Sequence, residues 1–121
     1  MMAKILIVDD SRTSRKVLRE IMEEGGYEVV AEAENGEEAV KLYEELHPDI
    51  VTLDITMPVM DGIDTLRQLK DFDAEAKVIM VSSAGQKSKM VEAVKYGAMD
   101  FIAKPFDEEQ LLEIIAKNVV L

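Results

Sequence analysis

Five times along the 121 residues, a short apolar run of strand length gives way to a stretch with helical periodicity. The runs are Lys4–Val8, Tyr27–Ala33, Ile50–Leu53, Val78–Val81 and Phe101–Ala103. The helical stripes that follow them are Val17, Leu18, Ile21 and Met22; Ala39, Val40, Tyr43 and Leu46; Ile63, Leu66 and Leu69; Met90, Val91, Ala93 and Val94; and finally Leu111 to Val119. Ser11 suits a helix cap, and Gly25-Gly26, Asn35-Gly36, His47-Pro48, Gly97 and Lys104-Pro105 punctuate the rest. Strands alternating with helices over short links form a parallel sheet with helices on both faces. Most of the runs are unbroken by charge, as strands covered on both sides must be. Tyr27–Ala33 carries Glu28 and Glu32 and is expected at an edge. The expected fold is α/β: a doubly wound five-stranded parallel sheet of order 2-1-3-4-5, with residues 1–121 forming a single domain.

That order has a chemical consequence. It makes the first and third runs neighbours about 4.8 Å apart and opens a crevice at their carboxyl ends. Asp9 and Asp10 follow the first run and Asp54 the third, so three carboxylates converge. A lone Asp after a strand is ordinarily a turn former. Three together are costly unless a cation neutralises them. The chain has no cysteine and a single histidine, His47, expected as a surface cation at a helix end. Oxygen-only ligands select a hard ion, and a site open to phosphate fits Mg²⁺. Ser82 ends the fourth run, and Lys104 ends the fifth, about 10 Å from the third, a gap most of which its long stem can span. A carboxylate nucleophile, a metal site, a hydroxyl and an ammonium are the parts needed to place a phosphoryl group on Asp54.

Charge narrows the alternatives. A formal net charge of −11 argues against direct nucleic-acid binding and against an anionic membrane surface. The apolar run Ile5–Val8 is too short for a signal peptide or a membrane span, so a cytoplasmic protein is expected. Arg12, Arg15, Lys16 and Arg19 put basic charge on the first helix, which suits a solvated face as well as a docking surface. The methionines read as core fillers, with Met57 and Met60 as possible loop anchors near the crevice.

Asp9-Asp10, Asp54, the loop Met57-Pro58-Val59-Met60-Asp61-Gly62, Ser82-Ser83 and Lys104-Pro105-Phe106 together resemble the response-regulator receiver family, over essentially the whole chain. With no output domain after the last helix, the chain is most similar to the stand-alone chemotaxis regulators of that family, which share the flavodoxin-like strand order. The resemblance implies a two-component response regulator rather than an enzyme acting on a separate substrate. Asp54 would accept phosphate from a sensor histidine kinase. Asp10, Asp54 and the Thr56 backbone carbonyl would hold Mg²⁺, with Asp9 contacting it through water. Lys104 would pair with the phosphoryl group, and its bond to Pro105 would be cis. Ser82 and Phe101 would form the hydroxyl and aromatic switch pair, positions at which many relatives carry Thr and Tyr. The implied protein is a monomer with a downstream protein target, such as the flagellar motor switch. A receiver cut from a longer regulator fits the same residues. A Mg²⁺-dependent phosphohydrolase of the haloacid-dehalogenase type would need an Asp where Thr56 stands. A flavodoxin-like cofactor binder would need a Ser/Thr/Gly-rich loop where Asp9-Asp10 stands.

Overall fold

A computed structural model describes residues 2–83 and 85–119. The chain runs β1 (Lys4–Val8), α1 (Arg12–Glu24), β2 (Glu28–Ala33), α2 (Gly36–Leu46), β3 (Ile50–Asp54), α3 (Gly62–Phe72), β4 (Val78–Ser82), α4 (Lys87–Lys95), β5 (Asp100–Ala103) and α5 (Glu108–Val119). The five strands are all parallel and stand in the order β2-β1-β3-β4-β5, as the alternation of runs and stripes requires. β2 is at an edge as its charges suggest, and the short β5 forms the other.

Side-chain alternation along the strands builds two cores. Leu6, Val8, Val51, Leu53, Val78 and Met80 pack toward α2, α3 and α4. Ile5, Ile7, Ile50, Ile79 and Val81 pack toward α1 and α5. The helices begin where short polar side chains can bond free amides. Ser11 accepts from Ser14 N (3.2 Å), Asn35 from Glu38 N (2.9 Å) and Asp61 from Asp64 N (2.9 Å). Among the described residues, no helix is long and apolar enough to cross a membrane.

Three of the helical stripes are narrower than their spelling suggests. On α4 only Ala93 is buried, while Val91 and Val94 are 67% and 57% exposed. Residues 90 and 93 form the inward row, so 91 and 94, one position on, point to solvent. Val17 and Leu46 are likewise exposed, and on α1 the charged Arg15 turns inward instead.

Candidate functional site

The site is built by the carboxyl ends of β1, β3 and β5. Leaving β1, Asp9 donates its amide to Ala33 O (3.0 Å) and accepts from Ser11 N on Oδ1 (2.8 Å), so the turn into α1 fixes its carboxylate. Asp54 is the last residue of β3, in register with Val81 of β4. The loop after it is folded back tightly: Met60 N reaches Pro58 O, and Gly62 N reaches Ile55 O, both at 2.7 Å. A Cβ on Gly62 would lie 2.2 Å from Asp54 O, so only glycine lets the loop close over the end of the strand. Val59 takes the turn at φ 70, an unusual conformation for a β-branched residue. Beyond β5, the Lys104–Pro105 bond is cis, and Lys104 N is anchored on Ser82 O at 2.9 Å.

Of the three acids only Asp10 is exposed. Asp54 retains 5% of its surface and Asp9 none. Carboxylate oxygens of Asp9, Asp10 and Asp54 all lie within 4.8 Å of one another. Lys104 Nζ reaches between two of them, 3.0 Å from Asp9 Oδ2 and 3.4 Å from Asp54 Oδ2. The Asp9 contact is one of charge, because Asp9 Oδ2 is buried without an aligned hydrogen bond. Thr56 N donates weakly to Asp54 Oδ1 at 3.4 Å. Burial and the neighbouring charge of Asp9 push the Asp54 carboxyl up to about 6, against the opposing pull of Lys104 and the Thr56 amide. Burial lowers the Lys104 ammonium, but its contacts with Asp9 and Asp54 more than reverse this and leave it raised. One ammonium thus faces three carboxylates, and a buried acid oxygen still lacks a directed partner. An all-oxygen donor set of this kind fits a hard divalent cation.

Ser82 is buried at the end of β4, and Phe101 is half-buried on β5. Phe101 pairs with Met80, two residues before Ser82, so the two side chains share the α3/α4 face of the sheet. Two further residues lie at the site although the sequence did not assign them to it. Gln86 spans the crevice mouth, donating to Thr56 Oγ1 (2.5 Å) and accepting from Ser83 N (2.7 Å). Arg15 lies behind Asp9 and is 8% exposed. The position of Arg15 was the available signal: it falls three residues before Leu18 and seven before Met22, on the buried stripe. For Gln86 no local pattern exists. His47 is the exposed C-cap of α2, in left-handed conformation beside Tyr43 and Phe72, far from any ligand cluster. Met57 is a core residue, and Met60 is half-buried.

A doubly wound sheet whose crevice gathers three acids and a lysine defines an α/β domain with a site suited to a hard cation. The chain belongs to the response regulator receiver domain family, whose pattern matches residues 5–116. It is 50% identical to the chemotaxis protein CheY of Bacillus subtilis over 119 residues, 98% of this chain and 99% of that protein. It is 54% identical to the CheY of Listeria monocytogenes over 116 residues, covering 96% and 98% of the two chains. Its fold is similar to that of a chain in the CheX–CheY–BeF3–Mg²⁺ complex of Borrelia burgdorferi, with TM-score 0.93 and 40% identity, covering 98% of this chain and 90% of that one.

Proposed function

We propose that this protein is a chemotaxis-type response regulator of the cytoplasm. Residues 1–121 form one receiver domain that takes a phosphoryl group from a sensor histidine kinase onto Asp54. The observation that carries this reading is the nearly buried Asp54, with Lys104 Nζ at 3.4 Å and the Asp9 and Asp10 carboxylates within 4.8 Å. A carboxylate with so little water around it is a stronger nucleophile once ionised. An Asp54 oxygen forms the bond to phosphorus as the bond to the donor's imidazole nitrogen breaks, and the ring, already protonated on its other nitrogen, leaves as neutral imidazole. Lys104 moves little to meet the new phosphoryl oxygens, since it already lies beside Asp54. Asp10, Asp54 and the Thr56 carbonyl, with Asp9 behind them, would hold Mg²⁺, which when bound would neutralise the crowded oxygens of acid and phosphate. The protein catalyses only its own phosphorylation and dephosphorylation.

The output follows from Ser82. Its hydroxyl donates to a phosphoryl oxygen on Asp54 and draws β4 inward, so the Phe101 ring shifts toward the space behind it. The surface formed by α4, β5 and α5 changes, and a downstream protein such as the flagellar motor switch reads it. Lys87, Lys89 and Lys95 are exposed there, and Tyr96 stacks under Arg67, with the guanidinium carbon 4.8 Å from its ring. Acetyl phosphate with Mg²⁺ should add one phosphoryl group to the native chain and none to Asp54→Asn, as read by intact mass. An adduct that survives the substitution moves the acceptor elsewhere and sinks the reading. With beryllofluoride, amide shifts should spread from Asp54 to Phe101 and α4 in the native protein and stay near the crevice in Ser82→Ala. Equal spread in both would remove Ser82 from the coupling.

A further inference from the structure

Arg15 was one of four basic residues expected together on the surface of the first helix. Among the described residues it is instead the one buried cation. Its Nη1 donates to the main-chain carbonyl of Asp9 at 2.6 Å, its Nε donates to Glu32 Oε1 at 3.1 Å, and its Nη2 lies 3.5 Å from Glu34 Oε1. The carbonyl belongs to the peptide that joins Asp9 to Asp10. Fixing that plane fixes the direction in which the Asp10 chain leaves the strand, just as Ser11 N fixes the Asp9 carboxylate.

The sheet is shaped to supply the other end of this brace. The β1–β2 register slips by one residue between Ile5 and Leu6: Ile5 pairs with Val29, but Ile7 pairs with Glu32. A one-residue slip turns every later side chain to the opposite face. Without it Glu32 would face α2; with it Glu32 shares the α1 side with Ile7. There Arg19 Nε also holds it, at 2.6 Å.

We infer that Arg15 is a positioning residue for the cation site, acting through the Asp9–Asp10 peptide without touching the ion. This step rests on the reading of Asp9, Asp10 and Asp54 as the Mg²⁺ site. Its sign separates it from simple electrostatics. Removing a cation from the neighbourhood of a metal site should tighten Mg²⁺ binding if charge alone matters. Losing an outer support of the ligands should weaken it, by about tenfold.

The test is a Mg²⁺ titration of the unphosphorylated full chain at neutral pH, followed by amide NMR shifts. Arg15→Met should bind about tenfold more weakly than native. Arg15→Lys, which can still reach one acceptor, should fall between them. Arg19→Met also strips a partner from Glu32 but does not touch Asp9; it should lower the melting temperature and leave Mg²⁺ affinity unchanged. Native or tighter affinity in Arg15→Met overturns the inference, as does an equal loss in Arg19→Met. Should Arg15→Met fail to fold, the comparison of Arg15→Lys with Arg19→Met decides on the same criterion. A native chain that binds no Mg²⁺ would overturn the underlying site reading instead.

Discussion

The two ends of the sheet each hold an aspartate beside a polar partner, and the two acids behave oppositely. At the amino-terminal end, Asp73 accepts from Tyr43 Oη at 2.8 Å and from Glu75 N at 3.0 Å, while its own amide caps α3 through Leu69 O. The Tyr43 and Glu75 donors hold its carboxyl below the usual range, and burial followed by Asp73 raises the Tyr43 phenol. At the carboxyl end, Asp54 is buried beside another acid, receives one long amide bond, and is pushed up to about 6. The same side chain is satisfied at one end and left short of positive charge at the other. A fold gains nothing in stability from the second arrangement, so it points to a ligand that completes it.

Removing the one ammonium of the crevice should widen this contrast most. Lys104→Met leaves Asp9 and Asp54 facing each other without a counter-charge. It should cost about 3 kcal/mol at neutral pH without metal, at the low end for a broken buried pair because Asp54 can escape by taking a proton. Chemical denaturation with and without Mg²⁺ would read it, and Mg²⁺ should restore part of the loss. Lys4→Met at the opposite end should stay within about 0.5 kcal/mol, since Lys4 is exposed and only its backbone amide bonds Asp49. Equal losses would mean that the two ends do not differ as described.

Next in size is the pH dependence. A carboxyl raised from 3.8 to about 6 on folding contributes its full stability only when protonated in both states. In EDTA, stability should therefore fall as pH rises from about 4 to about 6 and then level off. Asp54→Asn should remove this slope and stabilise the metal-free chain by about 3 kcal/mol at neutral pH, with no gain near pH 4. Asp73 has the opposite sign: its contribution is present above the ordinary carboxylate range and disappears as pH falls through its lowered value. Asp73→Asn should thus destabilise slightly at neutral pH. A melting series over pH that gives both variants the same sign would break the comparison. Crowding alone would place the same relief at Asp10, but Asp10 is exposed and its Asn variant should gain less.

The sequence carried the sheet order and the crevice because both follow from local pattern. Strand-length apolar runs declare themselves, and once β1 and β3 are neighbours, Asp9, Asp10, Asp54 and Lys104 have one place to meet. What it did not carry depends on partners distant in the chain. Arg15 looked like a surface charge because Glu32 reaches it only after a register slip that no residue type announces. Val91 and Val94 looked like core because α4 has apolar residues on two adjacent rows, and only packing selects one. The Gln86 bridge to Thr56 joins residues thirty positions apart through side chains common on any loop.

The smallest effect concerns where the under-satisfied end stops. Thr52 lies two residues before Asp54 on the same face of β3, wholly buried between Ile7 and Ile79 in the register, and its Oγ1 has no hydrogen-bond partner. A buried hydroxyl without a partner costs about 1–3 kcal/mol, part of which a methyl of similar size recovers. Thr52→Val should therefore raise stability by about 1 kcal/mol while leaving acetyl-phosphate labelling of Asp54 unchanged. A gain without loss of labelling would confine the functional shortage of partners to the carboxylates and Lys104, and make Thr52 a separate packing cost. If Thr52→Val instead destabilises the chain, the hydroxyl is engaged in solution. The polar region of the crevice would then reach one full pleat deeper into the sheet than the charges at its mouth.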